Sequence, residues 1–519
     1  MELVLFLVSI LCFCLSFFMI LKHNIHIFQI NFYKVKPQIN WIGKNIKKWI
    51  LSDILFVLSS IGLIFNYNIG TLIFSFIMLI CTFLNREKNV KKPIVYTARV
   101  KRLIISSYIF NLILGTIIYL LTRSYSVILI VFAYINIFLP FILLFINLLN
   151  IPINNMINKY YINDAKKIIK SMPNLIVIGV TGSYGKTSVK NFLYKCLSAK
   201  YNVLITPENY NTTLGVVKTI RNNLKATHEI FVCEMGATHV NDIKEICDIV
   251  HPKYGIITSI GPQHLESVSS IENVIKTKFE LADSLPEDGI IFLNYDNEYI
   301  RNKKIDRNII SYGVEDVDNV YNAYSLKSTK SGITFKVKDD ANQEFEFSSR
   351  VIGKHNIENI VGSIAVANKL GIPLQTLVNK VRQIEPVEHR LQIIRKGNDI
   401  IIDDAYNSNP VGSKSAVDTL CTFDGARIIV TPGMIELGDK EYELNYEFGK
   451  YCAKKCDYIV LVGKEQTKPI FDGIKEENFE DSKLFVASTL NEAMQFVYSL
   501  KVGDRSKIIL LENDLPDSY

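Results

Sequence analysis

Five apolar stretches in the first 150 residues, at 3–21, 50–66, 70–84, 103–121 and 126–149, constrain this chain more than any other feature. Only Asp53, near one end of the second stretch, interrupts them with a charge. In hydrocarbon every backbone N–H and C=O must be satisfied within the segment, so such stretches fold as spanning helices. Four of them reach the length that ~30 Å of hydrocarbon requires, and 70–84 is marginal. The first lacks the basic leader and small-residue cleavage pattern of a signal peptide, and four more spans follow it.

Charge orients the spans. Lys22, Lys34, Lys36, Lys44, Lys47 and Lys48 follow the first, and Arg86, Lys88, Lys91, Lys92, Arg99, Lys101 and Arg102 follow the third. The other two connections hold no basic residue and Arg123 alone. By the positive-inside rule the N-terminus lies outside and everything after residue 150 is cytoplasmic. Topology alone accounts for these basic loops, although an anionic lipid or phosphate site is the sharper alternative.

The chain's net +7 therefore divides unevenly. Residues 1–150 hold 14 Lys/Arg against Glu2, Asp53 and Glu87, whereas the remainder is slightly acidic. The basic balance belongs to membrane loops, and no nucleic-acid surface is implied. Nine cysteines without a paired Cys/His set read as reduced, structural thiols.

Beyond an amphipathic connector at 151–170 the pattern becomes βα alternation. Apolar runs at 175–180, 202–206, 229–235 and 254–260 read as buried strands of a parallel sheet. Segment 308–351 alternates and predicts an antiparallel appendage. A second series, at Asp399–Asp403, Arg427–Thr431, Tyr458–Val462 and Lys507–Leu511, starts after a boundary near Glu388–Gln392. The expected organisation is a membrane domain (1–150), a connector (151–170), a central P-loop ATPase domain with a parallel sheet (171–390) and a Rossmann-like α/β domain (391–519).

The chemistry begins at Thr181-Gly182-Ser183-Tyr184-Gly185-Lys186-Thr187-Ser188, directly after an apolar strand and opening a helix. Glycines let the backbone wrap a phosphate, Lys186 supplies a cation to the β/γ-phosphates, and the Thr187 hydroxyl is placed to ligate Mg²⁺. Val180 stands where the general P-loop has glycine. Glu234 ends the third strand and His264 follows the fourth, both on the edge where sheet ligands gather; they favour Mg²⁺ binding.

These residues resemble the Mur ligases. The loop at 181–187, Glu234-Met235-Gly236-Ala237 and Gly261-Pro262-Gln263-His264-Leu265-Glu266 carry the likeness, as do Gly353-Lys354-His355-Asn356-Ile357-Glu358-Asn359 and Asp403-Asp404-Ala405-Tyr406-Asn407-Ser408-Asn409-Pro410. Order and spacing are nearest to the D-alanyl-D-alanine-adding branch, over about residues 171–505. The resemblance implies transfer of the ATP γ-phosphate to a carboxylate, then attack by an amine on the acyl phosphate. It implies two Mg²⁺ ions, one held by Thr187 and Glu234 and a second by His264. Lys278 matches the lysine that the family carbamylates, turning a cation into an anionic metal ligand. Asn294, Arg390 and Asp403 match nucleotide contacts; Asn209, Asn211 and Thr212 match a loop near the acceptor. His355, Asn356 and Asn407 complete the substrate-binding candidates.

Two departures bear on substrate. Only about 20 residues separate the last span from the first strand, so the membrane domain stands where the family carries a UDP-sugar-binding domain. The chain also ends in Leu510-Leu511-Glu512-Asn513-Asp514-Leu515-Pro516-Asp517-Ser518-Tyr519 rather than a Lys-Gly-Ser-Arg-type element, an acidic end that would repel an incoming carboxylate. The leading expectation is a membrane-anchored amide ligase acting on an envelope precursor, with a lipid-linked carboxylate acceptor in view and an amino acid or peptide as the amine. An anchored amino-acid polymerase like the poly-γ-glutamate synthases is the second reading, and a non-catalytic ATP-binding membrane regulator the third.

Overall fold

The computed structural model describes residues 1–31, 33–45, 50–84, 93–262, 270–314, 318–329, 332–338, 343–406, 408–435 and 437–514. They divide into two compact units, Met1–Lys159 and Tyr160–Asp514.

Helices Glu2–Ile30, Tyr67–Leu84, Ala98–Thr122 and Tyr125–Lys170 are long and apolar enough to cross a membrane. The expected span at 50–66 is a helix of 16 residues, Ile50–Phe65, and falls short alone. It makes a fifth only if it acts with Val35–Asn45 as one broken span. The marginal 70–84 gains residues 67–69 and reaches 18. The connector is not a separate element: 151–170 continues the last span in one 46-residue helix, with Pro140 and Pro152 inside it. Around a core of Phe13, Phe17, Phe28, Phe74 and Met78, the first unit exposes Leu7, Leu11, Phe76, Phe83, Leu112 and Leu121. An apolar exterior of this extent suits a lipid solvent.

The second unit holds two sheets. In the first, β1 (Ile176–Thr181), β2 (Val203–Ile205), β3 (Ile230–Glu234), β4 (Tyr254–Ile257), β5 (Ile290–Asn294) and β6 (Asn308–Gly313) pair in parallel. β7 (Tyr321–Thr329), β8 (Gly332–Lys338) and β9 (Glu344–Ser349) extend it in the order β2-β3-β1-β4-β5-β6-β7-β8-β9. The expected antiparallel appendage is thus corrected. Residues 308–313 belong to the parallel part, β7 pairs in parallel with β6, and only β7–β9 run antiparallel to one another. Ala323, Phe335, Val337 and Phe347 pack into the same core as Ile178 and Val180, so the extension is not a satellite.

Near-continuous apolar strands follow from burial on both faces. Ile178 and Val180 face helices Lys186–Leu197 and Lys354–Lys369, whereas Val177 faces the layer of Thr213–Asn223, Asp242–Val250 and Ile271–Asp283. β1 lies between β3 and β4, with Val180 beside Glu234 and Thr181 beside Ile257. Its carboxyl end is therefore a switch point, where a ligand finds a crevice.

The second sheet comprises β10 (Gln392–Lys396), β11 (Asp399–Asp404), β12 (Ala426–Thr431), β13 (Tyr458–Val462), β14 (Leu484–Ala487) and β15 (Lys507–Glu512), in the order β10-β11-β15-β12-β13-β14. Only β10 runs antiparallel to its neighbour. All nine cysteines are free thiols.

Candidate active site

β1 hands the chain to helix Lys186–Leu197 through a turn that needs its glycines. Gly185 has φ +79°, and a Cβ there would sit 2.7 Å from Asn359 Oδ1. The loop is clamped from β4: Ser183 N–H donates to the Ser259 carbonyl (2.7 Å), Tyr184 N–H to Ser259 Oγ (3.2 Å), and the Tyr184 phenol to the Pro262 carbonyl (2.7 Å). Thr181 Oγ1 donates to the Met235 carbonyl, and Ser183 Oγ to that of Gly261. These residues shape the loop. The amide donors open to an anion are instead those of Lys186, Thr187 and Ser188, ahead of the first intrahelical bond from Val189 to Gly185.

Lys186 Nζ donates to the carbonyls of Gly182 (2.7 Å) and Ser183 (3.0 Å). Burial lowers its pKa to about 8, with Glu234 opposing the shift and Arg390 adding to it. Thr187 Oγ1 donates to Glu234 Oε1 (3.2 Å), and Asn211 Nδ2 donates to the same oxygen (3.0 Å). Glu234 is 1% exposed; burial alone would raise its carboxyl, but Lys190, Lys186 and the Asn211 bond outweigh that and hold it below the usual range.

Arg390, from the segment before β10, reaches this group: its Nη2 donates to Thr187 Oγ1 at 3.4 Å, its guanidinium covers the Tyr406 ring at 4.3 Å, and its Nε is buried without a partner. The flanking His389 and Leu391 both have positive φ, +57° and +49°. Two non-glycine residues held there signal backbone strain at the site. Asp403 Oδ2 pairs with His389 Nδ1 (2.8 Å), so Asp403 orients the strained turn that carries Arg390.

Lys278 lies buried on helix Ile271–Asp283. Burial, then the Lys186 charge, depress its amine to about 7. His355 is pushed down to about 4 by burial and Arg390, and its Nδ1 bonds Ser415 Oγ (3.1 Å). Other candidates have structural duties. Asn294 donates to the Thr258 carbonyl and to Glu358 while accepting from Asp296 N–H, Asn356 donates to the Ile352 carbonyl, and Thr212 caps helix Thr213–Asn223. The Asn209 carbonyl accepts from Asn211 N–H (2.7 Å). His264 and Asn407 lie outside the described residues.

Sequence reading passed over Lys190. Its Nζ lies 3.0 Å from Glu234 Oε2 and donates to the Glu208 carbonyl, with both charged side chains of the pair 2% exposed. The available signal was its spacing: four residues after Lys186, it shares a helix face with the loop lysine. The acidic end is also different in kind. Glu512 is fully buried and accepts from Ser408, Ser413 (2.7 Å) and Thr431 (2.6 Å), so it ties β15 to β12 and to helix Pro410–Cys421 and is not a surface charge.

Lys186 and Lys190 thus act on the Glu234 carboxylate and Arg390 on Thr187, while Lys278 feels Lys186 as well as Glu280 and Asp242; the cations gathered at the loop fit a polyphosphate. The Thr187 hydroxyl and Glu234 carboxylate are hard oxygen donors on adjoining elements, a set that fits Mg²⁺. Fold and site define a P-loop enzyme that handles a nucleoside triphosphate. Residues 180–367 match the Mur ligase middle domain, and residues 389–511 the Mur ligase, glutamate ligase domain; together these cover more than half of the chain. The UDP-N-acetylmuramoyl-tripeptide–D-alanyl-D-alanine ligase of Haemophilus influenzae is 29% identical over 330 residues, 62% of this chain and 70% of that one. The Bacillus subtilis ligase of the same name is 30% identical over 292 residues, 56% and 63% of the two chains. A crystal structure of MurF from Acinetobacter baumannii has a TM-score of 0.63 at 26% identity, over 69% of this chain and 77% of that one. The chain belongs to the Mur ligase family, the ATP-dependent acid–amino-acid ligases.

Proposed function

We propose that this protein is a membrane-anchored peptide ligase that joins an amine to the carboxylate of a cell-envelope precursor of the peptidoglycan kind, with the acceptor presented on a lipid. The observation that carries the reading is the bond from Arg390 to Thr187, which in turn donates to Glu234 and links the phosphate loop to the segment leading into the second sheet. The relatives are named for adding D-alanyl-D-alanine to a UDP-N-acetylmuramoyl-tripeptide. The apolar helices before residue 150 support a multi-pass anchor with the ligase domains on the ATP-containing side.

In this reading Lys186 and Arg390 lie along the phosphates while the acceptor carboxylate oxygen attacks the γ-phosphorus and ADP leaves. The amine nitrogen then attacks the acyl carbon, phosphate departs with the C–O bond electrons, and the amine loses a proton. Thr187 and Glu234 would hold Mg²⁺, which when bound would neutralise charge on the transferring group. Lys278, with its pKa near 7, presents much of its amine in the neutral form, which would add CO₂ and release a proton to become a carbamate. Closure of the two sheets' domains excludes water from the acyl phosphate.

The test is phosphate release by the full chain in nanodiscs across candidate carboxylates, soluble and lipid-linked, and amines, with Lys186→Ala as control. Release that needs both substrates is expected. No substrate-dependent release from any pair sinks the ligase reading, and release with soluble acceptors alone sinks the lipid-linked one.

A further inference from the structure

The first unit carries two arginines that an inert anchor does not need. Arg99 and Arg102 lie one turn apart at the start of helix Ala98–Thr122, and no carboxylate is within ion-pair reach of either among the described residues. Their partners are neutral. Arg99 Nη2 donates to Asn147 Oδ1 (3.4 Å), its guanidinium stacks over Tyr33 at 3.9 Å, and its Nε is buried without a partner. Arg102 donates through Nε (3.2 Å) and Nη2 (2.7 Å) to Asn154 Oδ1.

The surroundings are built. Asn147, Asn150 and Asn154 form a buried stripe on helix Tyr125–Lys170, and Ser106 meets Asn150 at 3.1 Å. Gln29 fixes the approach: its Nε2 donates to the Val95 carbonyl (2.9 Å) and its Oε1 accepts Val95 N–H (3.0 Å), which anchors the strand-like lead into the helix. Thr97 caps the helix through Val100 N–H. Two like charges at a helix N-terminus repel each other and the helix field. Asparagine oxygens orient guanidinium groups but leave their charge uncompensated among the described residues, a balance that an anion would complete.

We propose that Arg99 and Arg102 hold a lipid-borne phosphomonoester or diphosphate headgroup, oriented by Asn147, Asn154 and Tyr33. Guanidinium forks match phosphate oxygens in pairs, and stacking on Tyr33 fixes the plane of one fork. Generic contact with an anionic surface would need neither the asparagine cradle nor the buried Nε. The inference deepens the lipid-linked reading above, because such a headgroup is what would tether an acceptor. It is read without ATP, so failure of the ligase reading leaves it standing.

The test is native mass spectrometry of the full chain released from nanodiscs containing phosphatidic acid, a polyprenyl diphosphate, phosphatidylglycerol or phosphatidylcholine, with inorganic diphosphate as a separate arm. Wild type should retain the phosphomonoester and diphosphate lipids over the other two. Arg99→Gln/Arg102→Gln should lose that retention by about tenfold or more, at an unchanged melting temperature. Lys22→Gln/Lys34→Gln should retain it. Asn147→Ala/Asn154→Ala, which keeps both charges, should weaken it less. Equal retention by wild type and the double arginine variant overturns the site. Retention of inorganic diphosphate alone overturns the lipid source.

Discussion

The two units treat buried polar atoms in opposite ways. In Met1–Lys159, Ser16, Asn24, Gln38, Arg99, Asn111 and Asn136 each bury at least one polar atom without a partner. In the larger Tyr160–Asp514, Arg390 Nε does so in the candidate active site, whereas the buried Glu234 Oε2 meets Lys190 Nζ at 3.0 Å. Among the described residues the larger α/β unit leaves few buried polar atoms unmatched, and Arg390 Nε in the candidate active site is one of them. The helical unit leaves donors and acceptors unmatched where apolar surroundings make that costly. An orphaned polar atom is thus informative in the first unit about binding and in the second about catalysis.

The largest expected effect breaks or upholds the catalytic half of that contrast. Lys186→Ala should lower ligation by on the order of 10²–10³-fold, read as substrate-dependent phosphate release, because it removes a cation aimed at transferring charge. Next, Glu234→Gln should destabilise by about 3–5 kcal/mol, since Lys190 would remain buried and unpaired. Glu234→Gln/Lys190→Met should recover most of that melting temperature but no activity. If activity returns as well, Glu234 only balances Lys190. In the helical unit, Asn111→Leu should raise resistance to thermal unfolding by about 1–3 kcal/mol, because both amide atoms of Asn111 are buried and unpartnered. Destabilisation would mean that Asn111 has a partner in the membrane. Thr212→Ala should cost about 1 kcal/mol without changing the acceptor KM, and Thr212→Ser should restore it, as befits a helix cap.

Acidity supplies the smallest test. Burial, then the nearby Glu512, raise the Asp404 carboxyl to about 7. A carboxyl raised in the folded state holds its proton there longer than in the unfolded chain. Its contribution is therefore present at low pH and lost as pH climbs from about 4 through 7. The melting temperature of Asp404→Asn should fall less than that of wild type between pH 5 and pH 8; an equal fall would remove Asp404 from the account.

What the sequence disclosed follows from what is local. β1, β3 and β13 were legible because buried parallel strands are continuous apolar runs between turn signals. The loop at 182–187 and Glu234 were legible because their spacing is set by one turn and one strand end. Lys190 was hidden because a helix lysine is ordinarily solvated; only Glu234, 44 positions later, makes its burial tolerable. Glu512 was misread for the same reason, since its hydroxyl partners come from positions 408, 413 and 431. The parallel pairing of β6 and β7 escaped because alternation reveals a half-buried strand but not its direction.

The free thiols have a practical consequence. Burial pushes Cys196 and Cys247 up to about 12, and raises Cys233 and Cys452 well above the ordinary thiol range. At neutral pH only roughly one in 10⁵ of a thiol with that pKa is the reactive thiolate. These four should therefore be nearly silent to maleimides, which leaves the half-buried Cys14 and Cys421 as the thiols to replace. A cysteine introduced at Asn66 or Ser124, between apolar helices, would report through an impermeant reagent which side of the membrane each turn faces. A map of the chain's orientation thus needs two thiols replaced and not nine.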